Sequence, residues 1–494
     1  MITIQSLLQQ TTFECIQGDL SMNVQSLTFD SRQAKAHSIF FAIVGTLSDG
    51  HSYVQAAYDL GCRAFIVQKQ VELPSDATMV LVQKTDVALA EVACAFYGNP
   101  SRELKLVGVT GTNGKTTTTT LLHDLFTGLG YKSGLISTVV NKIGTDAIPA
   151  THTTPDPIRL NALLRDMVDQ HCTYCFMEVS SHAVHQHRIH GVQYVGAVFT
   201  NITHDHLDYH KTFAEYIRVK KQFFDDLGSQ GFALINGDDR NGQVMLQNTK
   251  ADKRSFALRT PADFKGKVLE NEISGLTMTF NQVELCSRLV GEFNAYNLLA
   301  VYGVGTLLGL DSMDVLRGMS NLASVEGRFQ YIRSEGGITA IVDYAHTPDA
   351  LENVLNTIAA IRKEGQKVIS VVGCGGDRDR EKRPVMAQIA ARKSQQVILT
   401  SDNPRTEDPM QILKDMEAGL NDEVQHALTI ADRAQAIKTA IMLAQPGDIL
   451  LIAGKGHEKY QEINGVKHDF DDFKLTEEYF NQLKNKCTNF KSLK

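Results

Sequence analysis

Val107-Gly-Val-Thr-Gly-Thr-Asn-Gly-Lys-Thr-Thr117 reads as a strand, a glycine turn and the first turn of a helix. The apolar run over 104–109 supplies the strand, and Gly111 and Gly114 supply the turn. Leu121, Leu122, Leu125, Phe126 and Leu129 then recur on one face of a helix that stops near Gly128 and Gly130. Glycines let backbone N–H groups crowd round a phosphate, and a helix N-terminus adds partial positive charge. Lys115 is placed to reach the outer phosphates of a nucleotide, and the Thr116 hydroxyl to ligate Mg²⁺. The strict P-loop pattern has glycine where this chain has Val109. A β-branched run from Thr116 to Thr120 opens the helix against its propensity, a local conflict expected of a site rather than a scaffold. A tight βα turn without a ligand is the plainer alternative, but Gly-Lys-Thr sits where a phosphate site needs it.

The full length of 494 residues bounds what surrounds this loop. At roughly 100–200 residues per domain, two to four domains are expected. Hydrophobic content is 43% and charged content 21%, ordinary for a globular protein. A net charge of −7 does not suggest a nucleic-acid partner. No apolar run approaches the ~20 residues of a membrane span. The opening MITIQSLLQQ lacks a basic region followed by an apolar stretch, so no signal peptide is expected. Cys172 and Cys175 form a lone C-x-x-C within an apparent strand, which reads as packing rather than zinc. A cytoplasmic protein fits these features.

Strand and helix patterns alternate along the chain. Over 1–98, strands are expected at 26–29, 39–43, 63–68 and 78–82, with helices at 53–60 and 88–97. Asn99-Pro-Ser is a plausible linker. Over 99–330, the polar turn Thr151-His-Thr-Thr-Pro-Asp-Pro precedes a helix over 158–170. Strands follow at 174–179 and 195–200, then a helix over 213–227, a strand over 232–236, short β segments within 253–290 and a helix over 294–308. From 331 the alternation resumes, with strands at 339–344, 367–373, 396–400 and 448–453, helices between them, and a tail expected to fray from Lys484. The fold class is α/β, with mostly parallel sheets.

Two groups of residues carry candidate chemistry. Glu178 and His206 each follow a sheet strand, where open α/β sheets bind ligands, and a carboxylate with a neutral imidazole could hold a divalent ion beside a nucleotide. The density of histidine from His182 to His210 raises a zinc hydrolase as a rival, yet no H-E-x-x-H or similar spacing is present. Lys220, in the following helix, would by itself read as a solvent-facing lysine. In the last third, Gly375-Gly-Asp-Arg378, Asp402-Asn-Pro-Arg405 and Gly454-Lys-Gly-His-Glu458 leave three strands of one sheet. Together they suggest a pocket for a charged small molecule, a zwitterion with an extra carboxylate that Arg405 could grip bidentately.

Thr110-Gly-Thr-Asn-Gly-Lys-Thr116, Glu178-Val-Ser-Ser-His182, Asn201-Ile-Thr-His-Asp-His206 and Asp402-Asn-Pro-Arg405, taken in order, resemble the Mur ligases of peptidoglycan synthesis, cousins of the folylpolyglutamate synthetases. Val109 is itself usual in that family. The resemblance implies three domains: a UDP-binding α/β domain (1–98), a central P-loop ATPase domain (99–330) and a Rossmann-like domain that brings an amino acid (331–494). Phe29, Ser31, Thr46, Leu47 and Ser48 would hold the uridine nucleotide, and Thr153, Thr154, Ser180, Gln186 and Arg188 the muramoyl-dipeptide. Gly111, Thr112, Asn113, Gly114, Lys115, Thr116 and Thr117 would bind ATP, with Asn294, Asn297, Arg328 and Asp343 near the nucleotide. Lys220 matches the lysine that carries a carbamate made from CO₂; of two Mg²⁺ ions, Thr116 and Glu178 would hold one, and His206 with that carbamate the other. Arg378, Asp402, Asn403, Pro404, Arg405, Gly454 and Glu458 match a diaminopimelate pocket. No role carries over to His152, where some relatives have Asn.

The implied activity is ATP-dependent addition of meso-2,6-diaminopimelate to the D-Glu carboxylate of UDP-MurNAc-L-Ala-D-Glu through an acyl phosphate. The implied enzyme is a monomer with small-molecule substrates and neither nucleic-acid nor membrane partners. Rivals are the same ligation with L-lysine, a folylpolyglutamate-type ligase and a non-catalytic nucleotide switch. The first is disfavoured by Arg405, which lysine-adding relatives typically replace, and the second by the UDP-type N-terminal region.

Overall fold

The computed structural model describes residues 2–45, 48–420 and 426–491, so the expected nucleotide contacts Thr46 and Leu47 lie outside the described residues. Three α/β units follow one another, each built on its own sheet. In the first, Thr78–Val82, Ala64–Val67, Ser38–Phe41 and Ser26–Thr28 run parallel. Phe13–Gln17, absent from the sequence expectation, adds an antiparallel edge against Thr78–Val82. Its half-exposed Phe-Glu-Cys-Ile-Gln pattern is too short and polar to stand out by periodicity.

The central sheet has 11 strands. Ser133–Ile136, Tyr174–Glu178, Lys105–Thr110, Gly196–Phe199, Phe232–Asn236, Asp252–Ala257 and Phe264–Glu272 pair in parallel, in that order. Antiparallel strands close both margins. The margin at Val140–Ile143 and Asp146–Pro149 was not expected, and neither was the helix Ser312–Ser320. The β segments expected within 253–290 extend this same sheet rather than standing apart.

Two helix layers bury the sheet. On one face, Leu121, Leu122, Leu125 and Phe126 of helix Lys115–Gly128 pack with Val107, Val109 and Phe176. The rings of Phe126 and Phe176 lie 4.9 Å apart. On the other face, helices Pro157–Asp169 and Phe213–Asp225 bury Leu160, Leu163, Leu164, Val219 and Phe223 around Cys172, Cys175 and Met177. Each fully buried side chain of this size contributes about 1.5–3 kcal/mol. Cys172 and Cys175 are therefore packing residues, buried and unbridged.

The third unit has six strands ordered Gln330–Arg333, Thr339–Asp343, Ile449–Ala453, Val368–Cys374, Gln396–Ser401 and Ala427–Thr429. All pairs are parallel except the first. The backbone stays helical over Asp472–Lys491, where fraying from Lys484 was expected. The buried Arg433 guanidinium anchors that helix by donating to both carboxylate oxygens of Asp472, at 2.8 and 2.7 Å. Register sets the functional edge. Glu178 lies beside Val109, and Phe199 beside Thr110, so the loops after three neighbouring strands emerge together.

Candidate active site

Glycine is structurally required in the loop after Lys105–Thr110. Gly111 has φ +152°, and a Cβ there would lie 2.0 Å from Thr200 Oγ1. Gly114 has φ +87° and caps the helix, with the side-chain Oδ1 of Asn297 2.7 Å from where a Cβ would stand. Asn201 shapes the loop from the next strand: its Oδ1 accepts from Asn113 N at 2.9 Å, while its Nδ2 donates to Asn113 O at 3.0 Å. Thr112 N donates to Asn201 O. The β-branched run is accommodated because Thr116, Thr117, Thr118 and Thr119 are buried, and Thr119 Oγ1 donates back to the Lys115 carbonyl.

Two lysines converge on this loop. Lys115 Nζ donates to Gly111 O at 2.9 Å and Thr112 O at 2.8 Å. Lys220 is 1% exposed, and its Nζ donates to the same Gly111 O at 2.9 Å. Burial pushes the Lys220 amine well below the usual lysine range, and the neighbouring Lys115 charge pushes it the same way. Lys115 is also lowered by burial. A lysine that reads as solvent-facing in the sequence is thus a buried, deprotonation-prone amine. Its spacing from Tyr216, Phe223 and Phe224 sets it on the buried face of its own helix, and the strand ends and Tyr216, whose ring centroid lies 4.8 Å from Nζ, enclose it.

Glu178 ends its strand wholly buried. One oxygen accepts from Thr138 N at 2.7 Å, and Oε2 has no hydrogen-bond partner among the described residues. An orphaned buried carboxylate oxygen beside the glycine loop suits a hard divalent cation that takes its other ligands from phosphates and water. His206 lies outward, its side chain 43% exposed, with φ +55° and its ring 4.9 Å from that of His182. Among the described residues, no three His, Cys, Asp or Glu side chains lie together as a group that could hold a metal ion. His210 instead donates to or accepts from Ser181 Oγ at 2.9 Å, and burial lowers its imidazole to about 4.

Next to Glu178, the residues expected to hold the peptide form one network. Thr154 Oγ1 donates to Glu178 O at 2.7 Å and accepts from Ser180 N at 3.1 Å. Arg188 donates to Thr154 O at 2.9 Å and, through Nε and a terminal nitrogen, to Gln186 Oε1 at 2.9 and 2.6 Å. Thr153 Oγ1 accepts from Thr138 Oγ1 at 3.0 Å. In the first unit, Phe29 is exposed, Ser31 opens a short 3₁₀ turn capped by Asp30, and Ser48 O accepts from Gly45 N at 2.9 Å.

Residues at the end of the central unit and in the third unit reach the same loop. Arg328 donates to Thr116 Oγ1 at 3.1 Å and lies 4.7 Å over the Tyr344 ring. Asp343 accepts from Phe329 N at 2.7 Å, and burial raises its carboxyl to about 6. Asn297 Nδ2 donates to Asn294 Oδ1 at 2.9 Å, and Asn297 Oδ1 accepts from Thr118 at 3.3 Å. Asp349, on the first turn of helix Pro348–Ile361, accepts from Asn113 Nδ2 at 2.8 Å and Thr203 Oγ1 at 3.0 Å. Sequence reasoning missed Asp349; Thr347-Pro-Asp349 marks a helix start, but its partners lie over 140 positions away.

Farther along, the three polar loops of the last sheet do converge. Arg405, at φ +52°, donates to Gly376 O at 2.7 Å and lies 3.7 Å from the Glu462 carboxylate. Gly376 packs directly on the Pro404 carbonyl. Asn403 Nδ2 donates to Glu458 Oε2 at 2.7 Å. Gly454 has φ +121°, and a Cβ there would lie 2.5 Å from Asp402 Oδ2. Arg378 stays exposed at the rim.

Sequence families match each of the three units. The Mur ligase family catalytic domain matches residues 23–97, the Mur ligase middle domain 109–305, and the Mur ligase glutamate ligase domain 327–456. The chain belongs to the Mur ligase family. Among its relatives is the UDP-N-acetylmuramoyl-L-alanyl-D-glutamate–2,6-diaminopimelate ligase of Bacteroides fragilis, 53% identical over 94% of this chain and 96% of that one. The enzyme of the same name from Bacillus velezensis is 41% identical over 95% and 97%. A solved structure of a ligase with this name superposes with a TM-score of 0.69 at 33% identity, covering 98% of this chain and 99% of that one. As a Mur ligase, the chain is an ATP-dependent ligase. Val109 pairs with Glu178 and Val198 on its two sides and is fully buried in the sheet.

Proposed function

We propose that this ligase joins meso-2,6-diaminopimelate to the D-Glu carboxylate of UDP-MurNAc-L-Ala-D-Glu, using ATP and an acyl-phosphate intermediate. The carrying observation is the charge pattern of the last pocket. Arg405, which donates to Gly376 O, and Asp402 and Glu458, which flank Lys455, lie on loops at one sheet edge, a mix of charges that suits a ligand end bearing both a carboxylate and an ammonium. The names of the relatives support the same substrate pair.

The division of labour follows the chain: residues 1–98 take the uridine nucleotide, 99–330 bind ATP and 331–494 bring the amino acid. Lys115 and the loop N–H groups hold the transferring phosphoryl group. Thr116, Glu178, His206 and a carbamate on Lys220 would hold Mg²⁺, which when bound offsets phosphate charge. The neutral Lys220 amine is the form that adds to CO₂. The Thr154–Arg188 network fixes the peptide so that its D-Glu carboxylate faces the γ-phosphate. The acyl phosphate then meets the amine, giving an amide and phosphate, and closure of the third unit onto the loop keeps water away. The enzyme acts as a cytoplasmic monomer in this reading; light scattering on the purified chain checks the state.

Phosphate release with UDP-MurNAc-L-Ala-D-Glu across an amino-acid panel tests the proposal. Meso-diaminopimelate is expected to be the best amine. Higher kcat/KM with L-lysine would overturn the reading of Arg405, and no release with any amine would leave only a nucleotide switch.

A further inference from the structure

Lys455, inside Gly454-Lys-Gly-His-Glu458, has a side chain that is 0% exposed. Its ammonium donates to Asn403 Oδ1 at 2.9 Å and Glu458 Oε2 at 3.3 Å, and lies 3.7 Å from Asp402 Oδ1. Asn403 Oδ1 also accepts from Glu462 N at 2.9 Å, and its Nδ2 is spent on Glu458 Oε2. The Asn403 amide can therefore stand only one way round, because a flipped amide would turn its NH₂ onto an ammonium and a backbone N–H. Glu458 Oε2 is consumed by two donors, whereas Oε1 has only the Tyr344 hydroxyl, at 3.4 Å. Two carboxylates facing one buried cation leave the cluster one negative charge in excess, which an incoming ammonium would balance.

We propose that Lys455 is the positioning residue of the amino-acid pocket: it locks Asn403 and one oxygen of Glu458, so that the other oxygen and Asp402 present a fixed anionic face to the ammonium at the far end of the amino acid. Without the cation, Asp402 and Glu458 repel one another, Asn403 loses its orienting donor, and the face turns away from the ligand. This deepens the function proposed above and rests on it.

The test compares wild type, K455M, K455R, E458Q and the double variant K455M/E458Q in full-length protein, using the amino acid that wild type uses best. K455M is expected to raise KM for that amino acid roughly 100-fold, the scale of a buried charge losing its partner, while KM for ATP and for the nucleotide-peptide shift by less than about threefold. K455R, which keeps the charge, is expected to recover part of that loss. Because Lys455 acts partly through Glu458, the double variant should lose clearly less than the two single losses combined. The proposal is overturned if K455M changes all three KM values alike, if its penalty adds in full to that of E458Q, or if melting temperature falls while the amino-acid KM stays at the wild-type value. Should K455M not fold, K455R carries the decision: a selective rise in amino-acid KM supports the role, and a uniform one refutes it. Wild type that turns over with no amine sinks the function itself; a selective effect with an amine other than diaminopimelate removes only that substrate and leaves Lys455 its role.

Discussion

Asp349 offers the sharpest test of how the third unit sits on the phosphate loop. One oxygen, Oδ2, accepts from Asn113 at 2.8 Å, Thr203 at 3.0 Å and Asn353 at 3.2 Å. The first two cross between units. A hydrogen bond to a charged acceptor is worth about 1.5–3 kcal/mol, but Asp349 is half-buried and water replaces part of what is lost. Removing both cross-unit bonds in D349A should therefore cost about 2 kcal/mol, a roughly 30-fold fall in the ratio of docked to undocked molecules. D349N keeps an acceptor oxygen and loses only charge assistance, so about 1 kcal/mol, or roughly fivefold, is expected. Steady-state phosphate release reports the consequence, and hydrogen exchange over residues 110–117 reports the docking directly. N113A should show no further loss on a D349A background, since the two side chains share one bond. If D349A keeps kcat and loop exchange within twofold of wild type, Asp349 does not hold the units together.

K220A should lower turnover by roughly 10²–10³, the scale of losing one preorganised electrostatic group, with partial return on adding formate or acetate; unchanged turnover would dismiss a carbamate on Lys220. Asp343 gives a pH signature. Its folded value, about 6, lies above the roughly 3.9 of an unfolded Asp, so its contribution is present below pH ~4 and lost as pH rises through about 6. D343N, which mimics the protonated acid, should therefore gain on wild type by about 2–3 kcal/mol between pH 4 and 7.5 in denaturant titrations, at ~1.4 kcal/mol per pH unit. A flat difference would refute the raised value. D472N leaves the buried Arg433 without its countercharge and should destabilise the third unit by about 3–5 kcal/mol. A melting temperature equal to wild type would show that the pair is not required.

The sequence alone determined the α/β class, the phosphate loop and most helices and strands of the middle and last thirds. These are properties of near neighbours: apolar periodicity, glycines at a strand–helix junction and prolines at helix starts are all readable within about a dozen residues. Glu178 could be placed for the same reason, because a strand's last residue points to the ligand edge whatever the sheet order. Tertiary structure decided what depends on distant packing. Phe13–Gln17 gains its hydrogen bonds from the distant strand Thr78–Val82, and its own pattern is weak; Val140–Ile143 and Asp146–Pro149 pair with near neighbours but are four residues each, too short to stand out by periodicity. Other elements close over Lys220 and Lys455, which lowers the Lys220 amine well below the usual lysine range and sets the Lys455 ammonium among Asn403, Asp402 and Glu458. The loop Val107–Thr117 reads as a phosphate site by itself; which groups surround the loop is decided by sheet register, by Arg328 just before the third unit and by Asp349 within it.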